Sequence, residues 1–334
     1  MTTMDKDIAI IIPTLNEERF IARCLDSLIV QTVPFETMDV MVVDGGSRDR
    51  TEAIVAAYAQ RYVNIRFLHN EKKIQSAAFN VGVACSTAPF IVRLDAHALY
   101  DKSYVERCVD GLKADRKRGN VGGGCTIEPT SNTLWANANA ILNHSRFGIG
   151  GASFRVGQQA CNTDSVPFGA FRREVVEQVG GMREDLPRAE DNEYNSRLRK
   201  AGYVIFFDPA IRSTYFARPT LKASCRQMFA NGESIGHLFY VDRQSIGLRH
   251  VVPLLFVACI VFGAVLSLVC PLFAYAFFGG MAFYLLCDLL ASAVAVRSYG
   301  WQLFLPLSLL FFCVHVSYGC GTLKGFVTGR KLRS

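Results

Sequence analysis

An α/β domain with a mostly parallel sheet, followed by an α-helical membrane region, is the architecture this 334-residue sequence predicts. Two observations carry the first half. Short apolar runs alternate with stretches of helical periodicity from Ile8 to Leu94, the pattern of βαβ units with right-handed crossovers. Each run then stops at polar or acidic residues, where open α/β sheets place their ligands. The second half rests on the segment Val251 to Val296, in which Asp288 is the only charged residue, and on Trp301 to Leu323, which has none. About 20 apolar residues suffice for a membrane span, so these lengths predict spans near 251–269 and 272–296 and a third hydrophobic segment at 301–323.

Taken in order, Ile8–Ile12 reads as a strand ended by Pro13-Thr14-Leu15-Asn16. Glu17–Val30 reads as a helix, with apolar residues at Phe20, Ile21, Leu25, Leu28 and Ile29. Val40–Val43 is the next strand, stopped by Asp44-Gly45-Gly46-Ser47. Thr51–Tyr62 is helix, Ile65–Leu68 strand, Ile74–Ala84 helix, and Phe90–Leu94 a strand that ends in Asp95-Ala96-His97. Val105–Lys117 is predicted helical and Val121–Cys125 extended. Trp135 to Val166, glycine-rich around Phe147–Gly151, shows no clear period and fits a binding loop. Phe168 to Glu174 leads into a helix ending at Gly180-Gly181, and Asp191–Ala201 is a helix closed by Gly202. Between Pro219 and Tyr240 one apolar stripe (Leu221, Cys225, Met228, Phe229, Ile235, Phe239) fits either an interfacial helix or a surface helix of the soluble domain. The predicted organisation is a domain over 1–212, a linker or interfacial helix over 213–250, and a membrane region over 251–334.

The formal charge is +7, but residues 1–250 hold 31 Lys+Arg against 28 Asp+Glu, which argues against a nucleic-acid footprint. The excess lies in Lys324, Arg330, Lys331 and Arg333, a tail suited to anionic lipid headgroups. Eleven cysteines form no C-x-x-C pair and fit a reducing compartment. Ile8–Ile12 is too short for a signal-peptide core, so the soluble domain is expected in the cytoplasm.

Asp95 and His97 are two metal-capable side chains at one strand end, although an Asp there also fits a helix cap. Asp44-Gly-Gly-Ser is either a plain turn or a loop whose glycines admit a ligand and whose carboxylate accepts a hydrogen bond from it. Neither a G-x-G-x-x-G nor a P-loop is present. Glu190 and Asp191, at the start of a helix, are acidic residues of the kind that favour a helix N-terminus. Lys72 and Lys73 are phosphate candidates or plain surface lysines; Arg172 and Arg173 are diphosphate contacts or structural salt bridges.

Pro13-Thr-Leu-Asn-Glu-Glu18, Val42-Val-Asp-Gly-Gly-Ser-Arg-Asp-Arg-Thr51, Ala78-Phe-Asn-Val-Gly82, Leu94-Asp-Ala-His97, Gly169-Ala-Phe-Arg-Arg173, Gly180-Gly181 and Glu190-Asp-Asn-Glu193 with Arg197 and Gly202 occur in an order that resembles family 2 glycosyltransferases of the GT-A fold. Within that family the chain is similar to the succinoglycan-type β-glucosyltransferases that build bacterial exopolysaccharide on a lipid carrier. The resemblance implies inverting transfer of one hexose, glucose, from a nucleotide-diphosphate sugar, a UDP-sugar, to a polyprenyl-linked oligosaccharide. It implies a multi-pass protein of the bacterial inner membrane with its catalytic domain in the cytoplasm. It makes Pro13, Asn16, Glu17, Asp44 and Asp95 nucleotide-sugar-binding residues and Asp191 the catalytic base. Asp95 and His97 stand where the family has D-x-D, which implies a divalent cation, Mn2+ or Mg2+, with the imidazole favouring Mn2+. The Q-x-x-R-W of processive members is replaced by Arg226-Gln-Met-Phe-Ala-Asn231, which implies single-sugar addition.

Two alternatives stay open at this level: transfer directly to polyprenyl phosphate, and a non-catalytic subunit of a polysaccharide assembly complex. The third hydrophobic segment carries Pro306, His315, Gly319 and Gly321 and is followed by the basic tail. It is therefore expected to be interrupted and not to cross the membrane, leaving the C-terminus in the cytoplasm.

Overall fold

The computed structural model describes residues 6–150, 159–186 and 188–329. The chain forms two compact units, one from residues 1–126 and 152–215, the other from 127–151 and 216–334. Segment 127–151 lies inside the stretch 1–212 read as one domain, yet groups with the membrane helices. The reason is compositional: its helix Leu134–His144 buries Ala138, Ile141 and Leu142 in the second unit's core.

In the first unit, β1 (Ile8–Thr14) is central and almost wholly buried, as an uninterrupted Ile-rich run requires. It pairs in parallel with β2 (Met38–Asp44) and β4 (Phe90–Arg93), and β2 pairs in parallel with β3 (Ile65–His69). Helices α1 (Ile21–Ile29), α2 (Thr51–Arg61) and α3 (Gln75–Ala84) make the crossovers. Glu17 to Phe20, read as helix, is instead a turn that precedes α1.

Beyond β4 the sheet becomes antiparallel. β8 (Ala170–Arg172) pairs with β4 and with β6 (Arg118–Pro129), and the order continues through β9 (Val204–Ala217) to β5 (Ala98–Tyr100). β7 (Cys161–Thr163) pairs with β9. β5 and β9 were not legible as strands, because their pairing joins residues more than a hundred positions apart. The long irregular region expected over 135–166 contains α5 (Leu134–His144) and α6 (Arg146–Ile149); 151–158 lie outside the described residues.

Helix α4 (Tyr104–Ala114) and helices α7 (Arg173–Val179) and α8 (Glu190–Lys200) complete the unit. Phe79, Phe171 and Tyr194 meet at its centre. Of the two roles weighed for Arg172 and Arg173, the structure has long salt bridges, Arg172 to Glu174 and Arg173 to Glu177 at 3.9 Å each, beside stronger bonds to backbone carbonyls. Arg172 donates to the carbonyls of Leu112 in the last turn of α4 and of Asp115, Arg116 and Arg118 in the turn to β6, and Arg173 to those of Val83 in the last turn of α3 and Ala88 just before β4. Each guanidinium thus satisfies carbonyls that a helix C-terminus leaves unpaired.

The second unit holds α9 (Leu221–Val241), α10 (Leu248–Ser267), α11 (Pro271–Val296) and α12 (Phe304–Thr328). The last three are long and apolar enough to cross a membrane. α12 is unbroken, against the expectation of an interrupted segment. Pro306 sits in its first turn, where a missing N–H costs nothing, and Gly319 and Gly321 are places where neighbouring backbone approaches too closely for a side chain. His315 is likewise accommodated: its Nε2 is 2.9 Å from the Phe147 carbonyl and its Nδ1 2.9 Å from the Tyr284 hydroxyl. Asp288 is buried and accepts from Ser292 and Ser308 at 3.2 Å each. Arg330, Lys331 and Arg333, on which the tail argument partly rested, lie outside the described residues.

Candidate active site

The carboxyl ends of β1, β2 and β4 are in register, with Thr14 opposite Asp44 and Ile11 opposite Arg93, so the turns after them share one edge. Pro13 lies within β1 opposite Val43, its fixed φ fitting the end of the strand. The first two turns are laced together. Asn16, in the left-handed region at φ 58°, donates its backbone N–H to Ser47 Oγ (2.7 Å) and accepts from the Arg48 N–H at Oδ1 (2.9 Å). The Glu17 N–H donates to Thr51 Oγ1 at 2.8 Å and the Glu18 N–H to Asp49 Oδ2 at 3.1 Å. A positive φ is strained for a residue with a side chain, and these bonds hold it in place.

Asp44 is buried and its carboxylate is turned into its own loop. Oδ2 accepts from the N–H groups of Gly46 (2.8 Å) and Ser47 (2.7 Å), while Oδ1 accepts from the hydroxyls of Ser47 and, at 3.3 Å, Thr14. The side chain therefore shapes the glycine loop. Gly46 has φ +88°, and Lys73 packs over the loop close enough that its Cα would lie 3.3 Å from a Cβ at Gly45. Lys72 instead forms an ion pair with Glu184, whose carboxyl is held below its ordinary range by hydrogen bonds from Lys72 and Asn80.

At the end of β4, the hydroxyl of Tyr100 holds the Asp95 backbone from both sides: the Asp95 N–H donates to it at 2.7 Å and it donates to the Asp95 carbonyl at 3.0 Å. His97 Nδ1 lies 2.9 Å from Glu17 Oε1, and its ring is edge-on to Tyr215 with centroids 4.9 Å apart. A carboxylate against one ring nitrogen favours the tautomer that carries its proton there. Among the described residues no three His, Cys, Asp or Glu side chains converge on one point. Asp95 and His97 follow β4 one residue apart, on either side of Ala96.

Arg93 was missed from sequence, although a lone charge inside the apolar run Phe90–Leu94 was a signal. Its buried guanidinium donates from Nη2 to Gln75 Oε1 at 2.8 Å and lies 3.4 Å from Asp95 Oδ1 and 3.6 Å from Glu190 Oε1. One cation therefore joins the end of β4 to the first turn of α8. Glu190 enters that turn because Ala189, at φ 60°, reverses the backbone just before the helix. Burial, offset in part by Arg93 and reinforced by Asp191, raises the Glu190 carboxyl to about 7. Asp191, next in the chain, is only partly buried, with Oδ1 accepting from the Asn192 N–H at 2.8 Å.

A parallel half-sheet with acidic turn residues at its carboxyl edge, continued by an antiparallel half, is the arrangement of the GT-A glycosyltransferase fold. Residues 9–180 match the model of glycosyl transferase family 2, and the chain belongs to that family. It is 33% identical over 262 residues to the succinoglycan biosynthesis protein ExoA of Rhizobium meliloti, covering 78% of each chain. It is 24% identical over 329 residues, 96% of this chain and 98% of the other, to a dolichyl N-acetyl-α-D-glucosaminyl phosphate 3-β-D-2,3-diacetamido-2,3-dideoxy-β-D-glucuronosyltransferase of Methanococcus voltae. Among solved structures, a mannosyltransferase of Pyrobaculum calidifontis in complex with GDP-Man and Mn2+ shares the fold with a TM-score of 0.59 at 21% identity, covering 95% of this chain and 88% of that one. The protein is a glycosyltransferase.

Proposed function

We propose that this glycosyltransferase moves one hexosyl residue, glucose, from a UDP-sugar to a hydroxyl of a polyprenyl-linked oligosaccharide, with inversion, at the cytoplasmic face of a bacterial inner membrane. The observation that carries the reading is the Arg93 guanidinium between Asp95 and Glu190, which joins the donor edge to the turn that bears Asp191. The relatives support the acceptor class: one is named for succinoglycan biosynthesis and the other for transfer to a dolichyl-linked sugar phosphate.

The acceptor hydroxyl attacks the anomeric carbon, a new C–O bond forms there, and the bond to the diphosphate oxygen breaks. Asp191 takes the hydroxyl proton as the bond forms, because an alcohol is a poor nucleophile until its proton is shared. Inversion follows from a single displacement. Asp95 and His97 would hold a divalent cation, Mn2+ or Mg2+, which would supply positive charge against the leaving group. Pro13 and Asn16 shape the β1 turn against which the nucleotide lies, Asp44 holds the glycine loop open to the nucleoside, and Glu17 orients His97.

The test is a screen of sugar nucleotides with lipid-extract acceptors, reading nucleotide-diphosphate release. UDP-glucose is expected to be the preferred donor and release to depend on the acceptor. Preference for a different donor overturns the sugar assignment, and transfer to polyprenyl phosphate alone overturns the acceptor.

A further inference from the structure

The helices of the second unit constrain how the chain sits in a membrane, whatever reaction it catalyses. α9 and α12 run side by side in the same direction. Gly232 of α9 lies against the backbone of Tyr318 and Thr322, Gly236 against Thr322 and Gly325, and Gly329 against Tyr240. The fit is reciprocal, since Gly321 and Gly325 of α12 lie against the backbone of Phe229 and Glu233. Lys324 pairs with Glu233 at 2.8 Å, and the Tyr240 hydroxyl donates to the Phe326 carbonyl at 2.8 Å. Two glycine pairs four residues apart let the backbones meet as in close-packed membrane helices. The end of α9 is therefore level with the end of α12.

α10 and α11 make a hairpin, with Phe256 stacked on Tyr284 at 4.3 Å and Gly263 against Phe277. At 20 residues α10 is about 30 Å long, the thickness of the hydrocarbon core. It is exposed on nearly every side, including Val252, Leu255, Phe262 and Val265. A hairpin that crosses and returns leaves the start of α10 and the end of α11 on one face. Residues 242–247 join α9 to α10 and residues 297–303 join α11 to α12. The first link spans about 25 Å even when fully extended, and the second is shortened by the 3-10 turn Trp301–Leu303, so neither recrosses the core. Val241 and Phe304 are then on the same face. Since Val241 is level with the end of α12, both ends of α12 are on that face as well.

We infer that α12 does not cross the membrane and that the α9–α12 pair lies in the lipid interface on the side from which the chain enters α9. The surface of α12 fits this. Leu305, Leu309, Phe312, Leu323 and Val327 are exposed along one stripe, while Leu307, Leu310, Phe311 and Val314 are buried on the other. α9 carries Lys222, Arg226, Glu233 and His237, which a path through hydrocarbon would have to desolvate. The stripe is the face that meets lipid, in the manner of in-plane amphipathic helices.

The test uses the full chain in right-side-out and inverted vesicles, with an epitope tag at each terminus and, separately, one in the 268–270 turn. The described residues before α9 contain no helix able to cross, so the N-terminal tag marks the side of entry. Protease should remove both terminal tags in the same vesicle orientation and the turn tag in the other. Loss of the C-terminal tag where the N-terminal tag survives overturns the inference, and so does loss of the turn tag together with the N-terminal one. If the turn insertion fails to accumulate, nitroxides at Leu305, Phe312 and Leu323 decide: equal shallow depths support an in-plane helix, and a maximum at Phe312 refutes it.

Discussion

The imidazole of His97 and the carboxylate of Glu17 are 2.9 Å apart across the β1 and β4 turns, 80 residues apart in sequence. The contact makes Glu17 a support for the His97 imidazole. Glu17→Gln should weaken Mn2+ activation by about 10–100-fold in the concentration required, the usual effect of losing such a support, with turnover recovered at saturating Mn2+. A metal titration of nucleotide-diphosphate release reads this. A raised KM for the donor at every Mn2+ concentration would instead mean that Glu17 touches the nucleoside.

His97→Asp should keep activity and shift the preference toward Mg2+, since it exchanges an imidazole for a harder oxygen donor. Asp95→Ala, like excess chelator, should abolish transfer. Full activity under either condition would remove the metal from this edge.

For Asp191→Asn, transfer should fall by on the order of 10²-fold or more while donor affinity stays the same, because the change removes a proton acceptor and almost no volume. Single-turnover transfer together with equilibrium binding of the donor separates the two quantities. Substantial turnover in the variant would point to an acceptor that is already ionised, such as polyprenyl phosphate.

Glu190 gives stability a predictable pH dependence. Its folded carboxyl is raised from 4.5 to about 7 by burial, so between those values the native state holds more of this proton than the unfolded chain does. Stability from this group is therefore fully present below pH 4.5 and is lost as pH rises through about 7. Glu190→Gln should flatten the Tm profile across that window relative to the unsubstituted protein. An unchanged slope would show that Glu190 is ionised throughout.

Glycine positions in the membrane unit should divide sharply. Gly232→Leu or Gly321→Leu forces a side chain into opposing backbone and should cost at least about 1–3 kcal/mol, read as a lowered Tm in detergent. Gly279→Ala and Gly280→Ala on α11 meet nothing within 4 Å and should be neutral or stabilising by up to about 1 kcal/mol, the helix-propensity difference.

The sequence by itself determined the parallel half-sheet, the order of its helices and the three apolar segments, because each is written in local periodicity that a strand or helix must show to bury one face. It also marked Asp95 and His97 as metal-capable, since they follow directly on a strand that can be recognised by itself, while Asp191 was singled out by the family resemblance alone. Tertiary structure alone decided what those groups touch. That Glu17 meets His97, that Asp44 turns into its own loop, and that Arg93 joins Asp95 to Glu190 are contacts between turns far apart in the chain. No spacing rule encodes them. The same holds for β5 and β9, and for 127–151, whose apolar residues find their partners among the membrane helices. Gly232, Gly236, Gly321 and Gly325 look in sequence like weaknesses in two helices. Only the packed structure makes them the surface along which those helices meet, because close approach of two backbones is a property of the pair and of neither helix alone.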